Sequence, residues 1–148
     1  AQQRFADPGD PETFELSKID HSERATHREI YELHCDLLKL RREDAAFRAQ
    51  RRRGVDGAVL SHDAFVLRFF GEQGGETEDD RLLLVNLGVD VHLDPAPEPL
   101  LSPPAGGAWE LVWSSEDPKY GGSGTPRLDS DENWHIPGLA AFVLKAYA

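Results

Sequence analysis

The chain has 148 residues, 39% hydrophobic and 29% charged, with a formal net charge of −11. A length of this order suits one domain that buries about two-thirds of the surface its unfolded chain exposes, so a core can form without disulfides or a structural metal. The acidity argues against nucleic acid and against a polybasic membrane contact, both of which need a basic face, and no apolar run approaches the roughly 20 residues that span a bilayer.

The chain opens at Ala1, contains no Met, and shows no charged-then-apolar leader in Gln2-Gln3-Arg4. It is therefore expected to be a piece of a longer protein. Asp10 before Pro11 is a helix start: an acceptor for free N–H groups, then a residue whose fixed φ suits the first turn. A short helix over Pro11 to Lys18 follows. Asp20 with Glu23 and Thr26 with Glu29 both have capping-box spacing, and Ile30, Leu33, Leu37 and Leu40 then repeat at helical intervals as far as Arg42. Those four positions form one arc, with Tyr31, His34 and Leu38 on the next. A helix lying on one surface needs an apolar stripe of roughly 100°, so this one is expected to have two neighbours.

Beyond Gly54 the period changes from helical to β. Ala58 to Leu60, Ala64 to Phe70, Arg81 to Leu87, Trp109 to Ser114 and Ala140 to Tyr147 are rich in Val, Leu, Phe and Trp and are separated by turn residues. Val91 to Leu93 and Trp134 to Ile136 read as shorter strands. Ser61-His62-Asp63 marks a hairpin, Gly71 to Asp80 a mobile acidic loop, and Pro95 to Pro104, with five prolines, an extended connection without an element of its own. The fold class this predicts is α+β: helices followed by a small antiparallel β-sandwich or barrel, with residues 1–53 helical and 54–148 a β domain.

Residues with chemical potential mostly have plain readings. His21, His27 and His34 are spaced by six and seven residues, about 9 to 10 Å apart along a helix axis, too far to share one ion. His92 with Asp94 shares a strand face, but two ligands without a third read as a solvated edge. Cys35 cannot form an internal disulfide, which fits a reduced, cytoplasmic setting, and is expected to be a half-buried thiol. Gly121-Gly122-Ser123-Gly124-Thr125 lacks the lysine of a P-loop and misses the nucleophile-elbow pattern, so it is expected to be a flexible loop. Arg41, Arg42, Arg48, Arg51, Arg52 and Arg53 follow the helix end, where cations complement the dipole. Glu116-Asp117 and Asp131-Glu132 have no cue that brings them to one pocket. Trp109, Trp113 and Trp134 are weak sugar-contact candidates, with core or edge packing the plainer reading. No cofactor-binding or metal-binding residue is assigned.

Composition and periodicity end there, and longer motifs go further. Asp7 to Asp20 (DPGDPETFELSKID), His34 to Phe47 (HCDLLKLRREDAAF), Ala58-Val59-Leu60, Arg81 to Gly88 (RLLLVNLG) and Trp113 to Gly122 (WSSEDPKYGG) closely resemble, in order and spacing, the C-terminal end of malto-oligosyltrehalose trehalohydrolases in the α-amylase glycoside hydrolase superfamily. The likeness spans nearly the whole chain. Ala45 and His21 depart from the usual proline and aromatic. The resemblance implies that residues before about Arg53 are the tail of a catalytic (β/α)₈ barrel, its last helix included, with the C-terminal β domain packed against it. A barrel of this type takes about 250 residues and carries its site at the carboxyl ends of its strands, so the family's nucleophile aspartate, acid/base glutamate and stabilising aspartate lie upstream of Ala1 and no residue here inherits them. In the parent, two carboxylates act with retention of configuration, and the product is trehalose released from maltooligosyl trehalose. The expected partner is the barrel of the same parent chain, through Ile30, Tyr31, Leu33, Leu37, Leu38 and Leu40. The Asp117 to Pro126 loop, with Tyr120, Gly121 and Gly122, is expected to carry interface contacts on the barrel side. Without its barrel, the apolar helix is expected to hide either in a homodimer or under the Pro11 to Lys18 helix. The rival readings are another amylase-like parent, such as a branching or trehalose-synthase-like enzyme, and a carbohydrate-binding module using exposed tryptophans.

Overall fold

The structure, a computed structural model, describes residues 7–71, 80–104, 107–130 and 133–147. Four helices lead: α1 (Pro11–Leu16), α2 (Glu23–Thr26), α3 (Arg28–Glu43) and α4 (Ala45–Ala49). Eight strands follow: β1 (Val55–Val59), β2 (Ala64–Phe69), β3 (Arg81–Asn86), β4 (Val91–Leu93), β5 (Ala108–Ser114), β6 (Asp129–Ser130), β7 (Asn133–Ile136) and β8 (Ala140–Tyr147). The strands make a five-stranded sheet in the order β1-β2-β3-β8-β5 and a three-stranded sheet in the order β4-β7-β6, antiparallel throughout and not closed into a barrel. The fold class is α+β and mostly β. Among the described residues no helix is long and apolar enough to cross a membrane.

Side-chain alternation sets the layers. Along β2 and β3, Ala64, Val66, Arg68, Leu82, Leu84 and Asn86 point inward, and register lines up Val66, Leu84 and Phe142 in one row. These inner residues meet Trp134 and Ile136 of the small sheet, together with Leu101, Trp109 and Leu128, in one core. The outer face carries a second apolar row, Leu67, Leu83 and Val143, which explains why a helix is held there. Leu37 and Leu40 of α3 line a crevice with Phe47, Phe69, Leu83 and Val143.

Two arginines, Arg68 buried and Arg81 half-buried, fix the edges of this arrangement. Arg68 forks onto Asp80 through Nε and Nη2, at 3.0 and 2.8 Å, and its Nη1 donates to the carbonyls of Leu100 and Ser102. Its guanidinium also lies over the rings of Trp109 and Phe70. Arg81 bonds Asp44 at 2.8 Å, and the same carboxylate caps α4 through Ala46 N–H and Phe47 N–H. Phe47 then packs edge-on against Phe69, centroids 4.8 Å apart. One aspartate thus ends α3, starts α4 and pins the elbow to the sheet.

Four expectations are corrected here. The capping-box pairs do not start one continuous helix, because the chain breaks at His27 (φ −115°, ψ 47°), and neither Ser22 nor His27 makes a side-chain cap; Asp20 instead accepts from Ser22. The proline-rich connection does contain an element, a 3₁₀ turn over Pro99–Leu101 capped by Glu98, whose Leu101 enters the core. Cys35 is exposed, because α3 turns that side away from the sheet. The Pro11 to Lys18 segment does not cover the apolar helix: α1 buries nothing, and Phe14 and Leu16 are exposed. Of the Gly71 to Asp80 loop, residues 72–79 lie outside the described residues, as does the pair Asp131-Glu132.

Candidate functional site

The joint between α3 and the β domain brings together Leu37, Leu40, Trp113 and Tyr120 of the singled-out residues. Asp117 caps a 3₁₀ turn over Pro118–Tyr120 by accepting from Lys119 N–H at 3.0 Å. Gly121 ends that turn with φ 84°, a left-handed conformation in which a side chain is strained. Gly122 then passes so close to the Glu116 backbone that a Cβ would sit 2.3 Å from its carbonyl carbon. Gly124 N–H also donates to Glu116 O at 2.8 Å. The loop expected to be flexible is therefore a tight, hydrogen-bonded turn, since its glycines serve close approach more than freedom.

This turn aims Tyr120 at α3. The Tyr120 hydroxyl donates to Asp36 Oδ2 at 2.6 Å and accepts from Trp113 Nε1 at 3.1 Å, while Lys119 Nζ stands 3.0 Å from the same carboxylate oxygen. The hydrogen bond from Tyr120, and then that from Lys119, holds the Asp36 carboxyl below its ordinary range. Burial pushes the Tyr120 phenol up, and its bond to Asp36 adds to this. Lys119 is raised by the neighbouring Tyr120 oxygen and by Asp36. At neutral pH the arrangement is a protonated tyrosine and a lysine gripping one carboxylate, which ties the helix to the sheet. The sequence contained Tyr120, Gly121 and Gly122 as a motif but gave no signal that Asp36 receives the tyrosine hydroxyl.

The helix presents its remaining arc outward. Leu33, Leu37 and Leu40 are half-buried on the sheet side, whereas Ile30, Tyr31 and Leu38 are 58%, 45% and 58% exposed. The expected grouping of Ile30 with the leucines is corrected: Ile30 belongs with Tyr31 and Leu38, because the sheet meets only the side that carries Asp36. Ile30, Tyr31, His21, His27 and His34 line an open trough together with the segment from Ile19 to Arg24.

The tryptophans do not form an exposed platform. Trp109 is 7% and Trp134 6% exposed, both in the core, and Trp109 Nε1 donates to Leu101 O. Their edges line a cleft of about 410 Å³ between the sheets, beside Glu98 and Asp129. Trp113 is half-buried against Tyr120. The binding-module reading required three solvent-facing rings and loses that premise.

Two open antiparallel sheets, with α3 and α4 held against one outer face, define the class: an α+β, mostly β domain. Residues 52–132, more than half of the chain, match the family described as "Domain of unknown function (DUF3459)", and the chain belongs to that family. Domains of this family are typically the C-terminal domains of α-amylase-family glycoside hydrolases. No curated protein matches the chain.

Proposed function

We propose that this chain is the C-terminal β domain, with its helical lead-in, of a trehalose-releasing glycoside hydrolase resembling malto-oligosyltrehalose trehalohydrolase. In this reading it performs no chemistry and stabilises the catalytic barrel of its parent chain. Family membership supports the amylase-type parent, and the motifs DPGDPETFELSKID and WSSEDPKYGG support the narrower assignment.

The observation that carries the role is the divided surface of α3. Its inner arc is held to the β domain by Leu37, Leu40 and the Asp36 grip, while Ile30, Tyr31 and Leu38 remain uncovered. Burying a leucine-sized side chain contributes about 1.5 to 3 kcal/mol, so three large apolar side chains left in water on one arc of a helix suit an interaction surface. The barrel supplies the missing second neighbour. A cytoplasmic setting is part of the proposal and accords with a lone exposed Cys35.

The test is direct. The purified chain is incubated with maltooligosyl trehalose and trehalose is assayed; no release above a mock preparation is expected. Turnover by the chain alone would overturn the non-catalytic reading. The gene sequence upstream of Ala1 should encode an amylase-type barrel, and any other upstream domain would overturn the parent assignment.

A further inference from the structure

Asp90, His92 and His135 come together on the outward face of the small sheet, a site that is independent of what the chain is attached to. His92 on β4 pairs directly opposite His135 on β7. Strand alternation sends Trp134 and Ile136 into the core and the two imidazoles outward. The rings stack in parallel, centroids 4.3 Å apart and 3° from coplanar. Asp90, two residues before His92, shares its face, and its Oδ2 lies 3.1 Å from His135 Nε2. One ligand atom from each of the three residues lies within 4.8 Å of the other two. The sequence placed only Asp94 on the face of His92 and read the two as a solvated edge; Asp90 and a histidine from the opposite strand join His92 there.

The backbone holding these groups is braced. Asp90 Oδ1 accepts from Gly138 N–H at 2.9 Å, and Gly138 packs so tightly on Gly88 that a Cβ would lie 2.5 Å from its carbonyl oxygen. Fully buried Asn86 ties the same corner through Nδ2, donating to the carbonyls of Val89, Ile136 and Pro137, while its Oδ1 accepts from Gly88 N–H. His135 N–H donates to Leu128 O.

We infer that Asp90, His92 and His135 form a binding site for a divalent transition metal of the zinc type. Two imidazole nitrogens and one carboxylate oxygen are the donor set that such ions prefer, whereas magnesium and calcium select oxygen alone. Zinc binds these ligands at about 2.0 to 2.2 Å, so the three atoms close on it by small side-chain rotations that open the ring stack. Asp90 and His92 are exposed and His135 is half-buried, which leaves the remaining position to water. The bound ion replaces the Asp90–His135 hydrogen bond and clamps β4 to β7.

Zinc chloride is titrated calorimetrically into the Cys35→Ser chain, which removes the one thiol. One ion per chain is expected, with affinity falling at least about tenfold in each of His92→Ala, His135→Ala and Asp90→Asn, while a His21→Ala/His27→Ala/His34→Ala variant binds as before. Cobalt(II) should show ligand-field bands that vanish in the same three single variants. These side chains lie outside the core, so circular dichroism should be unchanged; if a variant misfolds, His92→Gln replaces it. Failure of the unmodified site to bind, unchanged affinity in His92→Ala and His135→Ala, or loss of binding in the triple variant would overturn the proposal.

Discussion

At the scale of single residues, Asn86 organises more backbone than any apolar neighbour in its strand. It is fully buried, and its side chain bonds to four backbone groups, three carbonyls and one N–H. In the sequence it is only the polar interruption of Leu82-Leu83-Leu84-Val85, which reads as a strand end. Its role follows from the chain returning at Ile136 and Pro137 to the same corner, a long-range event that no local pattern encodes. Asn86→Leu keeps the volume and leaves those groups without partners, each unsatisfied buried group costing about 1–3 kcal/mol. A loss of at least about 2 kcal/mol is expected in urea unfolding, with an unchanged denaturant slope. A neutral result would mean that water reaches this corner.

At the scale of elements, the large sheet was largely legible and the joints were not. The nearly continuous apolar runs Ala64 to Phe70 and Arg81 to Leu87 translated directly into β2 and β3, and they are continuous because both faces of that sheet meet protein, inner core on one side and α3 on the other. Capping spacing around Asp20 and Thr26 misled, since a Ser or Asp that bonds within its own turn has the same spacing as one that caps a helix. The strand β6 and the turn at Pro99 are too short to carry periodicity. Tyr120, Gly121 and Gly122 were visible as a motif, but Asp36, the acceptor of the Tyr120 hydroxyl, was not, because a carboxylate on a helix surface looks like any solvated one. The His92 and His135 pair was hidden for a related reason: only strand register places them opposite each other.

The Asp36 grip gives this joint a pH dependence. Its carboxyl is held below the ordinary range, chiefly by Tyr120, so its contribution is complete above the unfolded value of about 4 and is lost as pH falls through the lower folded value. Tyr120→Phe removes the hydroxyl that bonds both Asp36 and Trp113. It should lower the melting temperature by about 2–4 °C at neutral pH, and the difference from wild type should shrink as pH falls below the carboxylate range. A difference that does not change with pH would show that the phenol acts by packing alone.

At the scale of the whole molecule, the two arcs of α3 make opposite predictions for the same kind of substitution. Leu37 already packs beside Leu83 and Val143, so a charge there attacks the joint whether or not a barrel is present. Ile30 and Leu38 are more than half exposed in the chain itself. Ile30→Glu/Leu38→Glu should change its unfolding free energy by less than about 0.5 kcal/mol per site, as for ordinary surface positions, and should suppress any concentration-dependent association seen by sedimentation. In the full-length parent the same pair would place two carboxylates in a buried interface, where each lost side chain forfeits about 1.5 to 3 kcal/mol of burial, and the melting temperature should fall sharply. Leu37→Glu should destabilise both forms. If Ile30→Glu/Leu38→Glu has equal, small effects in chain and parent, the outer arc faces water in both, and the barrel packs elsewhere on this domain.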